Sequence, residues 1–454
     1  ARLVCGSKRD GGPDFSEFSR LKPGLRLPFA PRTRLCQASL RCKTRRRPRF
    51  IGVFPAEAGP PTPFCTENQA MRYKVQPEDF IVEERIRLPL APRGRFAIYR
   101  VHKRGVTTLS VQAQMARTLK VPQSAIVFPA LKDKDAIAVQ HVAVRGTGPG
   151  RLMGDGFVGE FLGRSPRPLA PTDIIANRFT IVLRGLSAEE AARIPEYLAQ
   201  VARSGLPNYF DQQRFGSLVP GGDPIGKRIL QRDAEGALRA YFTQPFAGDP
   251  APVREFKALA ATRWGDWDAL FKAAPRPSNY RSVLTYLRDH PTGYRRALNL
   301  VTRRLLSLYL AAYQSFLWNR IAAHYLATRL GESPAHIEVA GERLPLYREL
   351  SQHLDRDATI PLPHHRAVYA DPTLAAVVTR VLEEEGLILS DIKARILKKA
   401  YLPKGERALL LFPQDTSISS PQPDDLFPGR SKLTLAFTLP RGSYATLVLK
   451  ALAR

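Results

Sequence analysis

Residues 132–135 place Lys132, Asp133, Lys134 and Asp135 in succession, between the apolar runs AIVFPAL and AIAVQHVAV. A carboxylate beside cations stays ionised near neutral pH and can act as nucleophile or general base. A solvated turn has the same composition, and composition alone leaves both readings open. Other chemistries find little support. The chain contains no G-x-x-x-x-G-K-[ST] or G-x-G-x-x-G phosphate cradle, no H-E-x-x-H and no G-x-S-x-G. The eight His are scattered, and His364–His365 reads as surface in a Pro-flanked loop. Cys5, Cys36, Cys42 and Cys65 all precede Met71 without C-x-x-C spacing, so a zinc site is not expected and the remainder has no thiol nucleophile. Chemistry is left to carboxylates, basic residues and aromatics.

Those residues need elements to hold them. DFIVEERI (79–86) and RFAIYRVHKR (95–104) read as strands. Thr107 or Thr108 caps a helix with Val111, Met115 and Leu119 on one face, stopped before Pro122. A Gly/Pro-rich loop is expected over 146–171, then a half-buried strand at NRFTIVLRG (177–185). Ser187 and Glu190 form a capping box for a helix presenting Ile194, Leu198 and Val201, ended by Gly205 and Pro207. From about 208 to 410 the pattern turns helical. It includes a buried helix over 305–330 and a basic amphipathic helix over 386–400, ending in DIKARILKKA. Strand signals return at ALLLF and KLTLAFTL.

The 454 residues are 44% hydrophobic and carry a net charge of +28. That length supports two or three domains, and that excess points to a polyanion partner, most often nucleic acid. No apolar run reaches 18 residues, so no membrane span is expected. Residues 1–70 are rich in Arg, Pro and Gly and hold a net charge of +9, leaving +19 for the rest. They read as a disordered basic leader, as a transit peptide, or as sequence upstream of a start at Met71. The last is favoured because composition changes there. A body without cysteine fits a reducing cytoplasm.

Six segments in order resemble the TruD family of transfer-RNA pseudouridine synthases. They are YKVQPEDFIVEE (73–84), PALKDKDAIAVQHVAV (129–144), NRFTIVLRG, GLPNYFDQQRFG (205–216), AYQSFLWNR (312–320) and LPRGSYATLVLKAL (439–452). The resemblance implies an α/β (α+β) pseudouridine-synthase fold with a mixed, mostly antiparallel sheet, interrupted by a mostly helical insertion. The catalytic domain is then expected at 71–204 and 412–454, and the insertion at 205–411. The implied activity is isomerisation of a uridine in transfer RNA, or another structured RNA, with Asp133 as nucleophile. Lys74 stands at the family's basic position and is the better cation to pair with Asp133. Lys132 and Lys134 either tune that carboxylate or hold phosphate, and Asp135 is a turn or cap residue. Phe80, Asn177, Phe179 and Tyr444 are implied to line the uridine pocket, with rings against a flipped base. Phe is usual at the place of Tyr444.

Two departures are visible. RPLAPTDIIA (167–176) replaces a basic, Gly-containing approach, and Asp211 stands where Gly is common. No cofactor or metal is expected, because isomerisation is redox-neutral. The expected state is a cytoplasmic monomer with no protein partner. A non-catalytic RNA-binding or remodelling protein of the same fold is the alternative, and a DNA-binding protein is a third.

Overall fold

The computed structural model describes residues 71–453, except 147, 220, 247, 348–349 and 351–353. The expectations for residues 1–70 lie outside this range. A ten-stranded sheet forms the body, labelled in chain order β1 (Phe80–Ile86), β2 (Phe96–Arg104), β3 (Ile126–Val127), β4 (Ile137–Arg145), β5 (Arg151–Gly154), β6 (Phe157–Ser165), β7 (Ile174–Leu186), β8 (Gln414–Ile418), β9 (Gln422–Pro423) and β10 (Ser431–Pro440). The sheet order is β8-β10-β7-β1-β4-β2-β6-β5, with β9 on β10 and β3 on β4. Only β1 and β4 run parallel, with Ile81 beside Ile137; every other named pair is antiparallel. The sheet is mixed and mostly antiparallel, as expected, and a mostly helical stretch interrupts it between β7 and β8.

That one parallel pair matters for the site. Parallel neighbours start at the same edge, so the loops entering β1 and β4 meet there. Lys74 lies in the first loop and Asp133 in the second.

Local signals explain most elements. Thr107 caps the helix Thr108–Thr118 by accepting from the Ser110 amide. The Ser187–Glu190 box opens the helix Ala188–Ser204, and Gly205, with φ of +79°, closes it. The long helix Arg303–Leu330 buries 16 residues, among them Trp318 and Tyr313. One apolar cluster joins the sheet to the helices, running from Phe179 and Phe437 through Phe210 to Trp318.

Two expectations are corrected. Residues 146–171 are not a plain loop but hold the β5–β6 hairpin, turned at Asp155–Gly156 with Gly156 at φ +71°. The Asp-Gly pair is a hairpin signal that the surrounding glycines obscured. The helix expected over 386–400 does not form; only the short 3-10 turn Leu389–Asp391 is helical there. Ile392, Ile396, Leu397 and Ala400 do face the core at helix-like spacing. Their backbone groups are bonded elsewhere: His365 N–H donates to Ile392 O, the Asn299 amide donates to Ile396 O, and Lys398 N–H donates to Asn299 Oδ1. External partners satisfied the chain without a helical ladder.

Candidate active site

Asp133 sits on the loop entering β4, against Lys74 of the loop entering β1, with its side chain 35% exposed. Lys74 Nζ donates to Oδ2 at 2.6 Å, and Gln213 Nε2 lies 2.7 Å from both carboxylate oxygens. Buried Lys103 donates to the Asp133 backbone carbonyl and, at 2.9 Å, to Val106 O. Burial pushes the Asp133 pKa up. The charge and hydrogen bond of Lys74, the Gln213 amide and the Lys103 charge outweigh it and hold the carboxyl below its ordinary range. The group is an anion throughout the neutral range.

The loop carrying Asp133 is clamped from behind. Lys132 N–H donates to Thr108 Oγ1 at 3.0 Å, Thr108 Oγ1 donates to Gln140 Oε1 at 3.0 Å, and Gln140 Nε2 donates to Ala130 O at 3.0 Å. Gln213 is held as firmly. Asn319 on the long helix grips Phe210 through its amide and carbonyl, each at 2.8 Å. Asp211 accepts from Lys450 at 2.6 Å and from Thr446. Its φ is −106°, so the backbone here makes no demand for glycine, and its carboxylate ties the C-terminal helix Ala445–Leu452 to this turn.

Phe80 and Phe179 meet edge to face at 5.9 Å, Phe179 meets Phe437 at 5.8 Å, and Lys74 Nζ stands 4.2 Å over the Phe80 ring. Cross-strand register explains it, since Phe179 lies opposite Val82 on β1 and Phe437 on β10. Asn177 follows on the same face, opposite Glu84. Tyr444 stands apart from this group, capping the C-terminal helix, 6.5 Å from Phe210 and 5.8 Å from the Arg407 guanidinium.

Of the residues expected at the site, Lys74 contacts both Asp133 and the Phe80 ring, and Phe179 abuts Phe80. Asn177 reaches the loop through Lys132. That lysine does not face Asp133: its Nζ donates to Asn177 Oδ1 at 2.6 Å and lies 3.3 Å from Glu84 Oε1. Glu84 is fully buried in its side chain and accepts from His141 N–H at 2.9 Å. Lys134 is exposed and Asp135 lies in the bend before β4. Sequence reasoning missed Gln213, Lys103, Glu84 and Thr108. Gln213 stood within a quoted segment, but only the fold shows that it reaches Asp133. Among the described residues no group of three or more His, Cys, Asp or Glu could hold a metal, and no helix is long and apolar enough to cross a membrane.

The fold is shared with a crystal structure of the TruD protein of Methanosarcina mazei, with a TM-score of 0.63 and 25% identity over 84% of this chain and 93% of that one. That shared sheet and helical insertion place the chain among the pseudouridine synthases, which are isomerases. The chain belongs to the tRNA pseudouridine synthase D (TruD) family, whose model matches residues 64–452. It is 28% identical to the Methanococcus maripaludis protein named "Probable tRNA pseudouridine synthase D 1", over 84% of this chain and 98% of that protein. It is 27% identical to the tRNA pseudouridine synthase D of Aquifex aeolicus, over 84% and 98%.

Proposed function

We propose that this chain converts a uridine of transfer RNA to pseudouridine, with Asp133 as nucleophile. The observation that carries the reading is the Asp133 carboxylate, held ionised by Lys74 and Gln213 next to the Phe80–Phe179 pair. In the isomerisation the bond from the ribose to nitrogen one breaks, and the uracil reattaches through carbon five. Carbon five loses a proton and nitrogen one gains one, so nothing is oxidised. An ionised carboxylate can trap the released fragment covalently or assist removal of the proton at carbon five. Phe80 and Phe179 wall the base once it leaves its stack, Asn177 hydrogen-bonds it, and Tyr444 closes the far side. Residues 71–204 and 412–454 form the catalytic domain, and 205–411 the opposite wall of the cleft. The protein acts as a monomer without cofactor.

Unmodified transfer-RNA transcripts incubated with the protein should gain pseudouridine at a defined uridine, read by chemical mapping. Transcripts that bind but stay unmodified would sink the proposal.

Lys132 has a role in this reading. Its bond to Asn177 Oδ1 leaves the Asn177 amide N–H groups free to donate to a uracil carbonyl, and Glu84 neutralises its charge. Lys132→Met leaves a buried carboxylate unpaired, so it is best combined with Glu84→Gln. The pair should slow single-turnover modification about tenfold, and cost little in an Asn177→Ala background, because the two act through one amide. Full additivity in the cycle would remove this role.

A further inference from the structure

Arg214 and Arg407 are cations whose roles are not explained by the site above. Arg214 follows Gln213 in the turn Gln212–Phe215. Its Nε donates to Ser315 Oγ at 2.9 Å. Ser315 is buried and spends its own proton on Ala311 O at 2.8 Å, so it accepts from the arginine. One edge of the guanidinium is therefore fixed. Among the described residues, its two terminal nitrogens have no hydrogen-bond acceptor, and no carboxylate lies within ion-pair distance.

Arg407 packs 4.0 Å over the Phe210 ring, and Arg214 lies 5.5 Å from the same ring. Arg407 donates to Asn208 O, Asn208 Oδ1, Tyr209 O and Gly442 O, all of them neutral. Burial draws its pKa down to about 10, and Arg214 adds to the shift. Asp211, the carboxylate of this turn, is committed to Lys450 and Thr446. Among the described residues, two like charges thus sit together without a counterion, and one presents an unused, oriented fork. Such a fork matches the paired oxygens of a phosphodiester.

We propose that Arg214, reinforced by the field of Arg407, is the seat of one backbone phosphate of the RNA, next to the uridine held at Asp133. This rests on the proposed RNA-isomerase function. Gln213 links the two places: it touches both oxygens of Asp133 and is bonded in sequence to Arg214. A phosphate fixed here sets where the attached ribose falls relative to the carboxylate, which is a positioning contribution.

Binding of unmodified transfer-RNA transcripts over a range of salt concentrations tests this, in an Asp133→Asn background so that turnover plays no part. Arg214→Ala should weaken binding about tenfold and lower the slope of log affinity against log salt by roughly 0.7 to 0.9, the value of one phosphate contact. Arg214→Lys should keep the slope and lose several-fold in affinity, because charge survives and the fork does not. An Ala variant with the wild-type slope overturns the proposal. So does a Lys variant of wild-type affinity, which also decides the matter if the Ala variant fails to fold. Pseudouridine formation by the wild-type protein is measured alongside. Its absence would sink the isomerase reading, whereas its presence with an unchanged slope would sink only the phosphate seat.

Discussion

Asp133→Asn should lower pseudouridine formation by at least ~10³-fold, about 4 kcal/mol of transition-state stabilisation, while transfer-RNA affinity holds or improves slightly. The change keeps the shape of the side chain and removes its charge. Asparagine can neither trap a released fragment nor take a proton from carbon five. Gln213 can turn its carbonyl toward the new amide, but Lys74, 10% exposed in its side chain, loses its anion. The removed charge is negative, so a polyanion is not repelled by the change. The measurement is single-turnover conversion of a transfer-RNA transcript, with binding followed in parallel. A variant within tenfold of wild type would show that the carboxylate is not the nucleophile. A fall in binding equal to the fall in rate would point to the non-catalytic alternative, in which Asp133 only shapes a binding surface.

How far the site could be read from sequence depends on how locally each residue acts. Asp133 and Lys74 were reachable because each lies in a characteristic segment, although 59 residues separate them. Phe80 and Phe179 came from the same resemblance; strand alternation alone reads Phe179 as core. Gln213 stands 80 residues from Asp133, and its aim is set by Asn319 and by the C-terminal helix. No spacing in the chain encodes that convergence. Lys132 is the sharper case. Beside Asp133 in sequence, it read as tuning that carboxylate or holding phosphate, but its ammonium reaches Glu84 on β1 and Asn177 on β7 instead. Consecutive residues of an extended loop point to different sides, and only the strands beneath decide what each side offers. The same limit explains the stretch 391–400. Its apolar spacing satisfied a helix, and tertiary hydrogen bonds from Asn299 and His365 supplied another arrangement.

Lys74→Met should cut modification at neutral pH by about 10²-fold and shift the acid limb of the pH–rate profile to higher pH. Lys74 supplies the two strongest effects that lower the Asp133 pKa, its charge and its hydrogen bond. Without them, burial is opposed only by Gln213 and Lys103, so the carboxyl titrates at higher pH. The sign for stability runs the same way. In the wild type the folded pKa of Asp133 lies below its ordinary value of 3.8, so its stabilising contribution is present above that value and fades as pH falls through the folded pKa. The stability gap between wild type and Lys74→Met should therefore be full at neutral pH and close on acidification below about pH 4. The gap itself should be only about 1 kcal/mol, since a carboxylate one-third exposed is partly screened. Lys74 also holds φ at +59°, a left-handed conformation that costs a side chain about 1 kcal/mol. Lys74→Gly removes that strain along with the charge. Its folded stability should recover relative to Lys74→Met, while its pH–rate profile stays displaced. Denaturant midpoints and single-turnover profiles of the two variants separate the effects. If both variants keep the wild-type acid limb, Lys74 does not set the ionisation of Asp133, whatever the loss of rate.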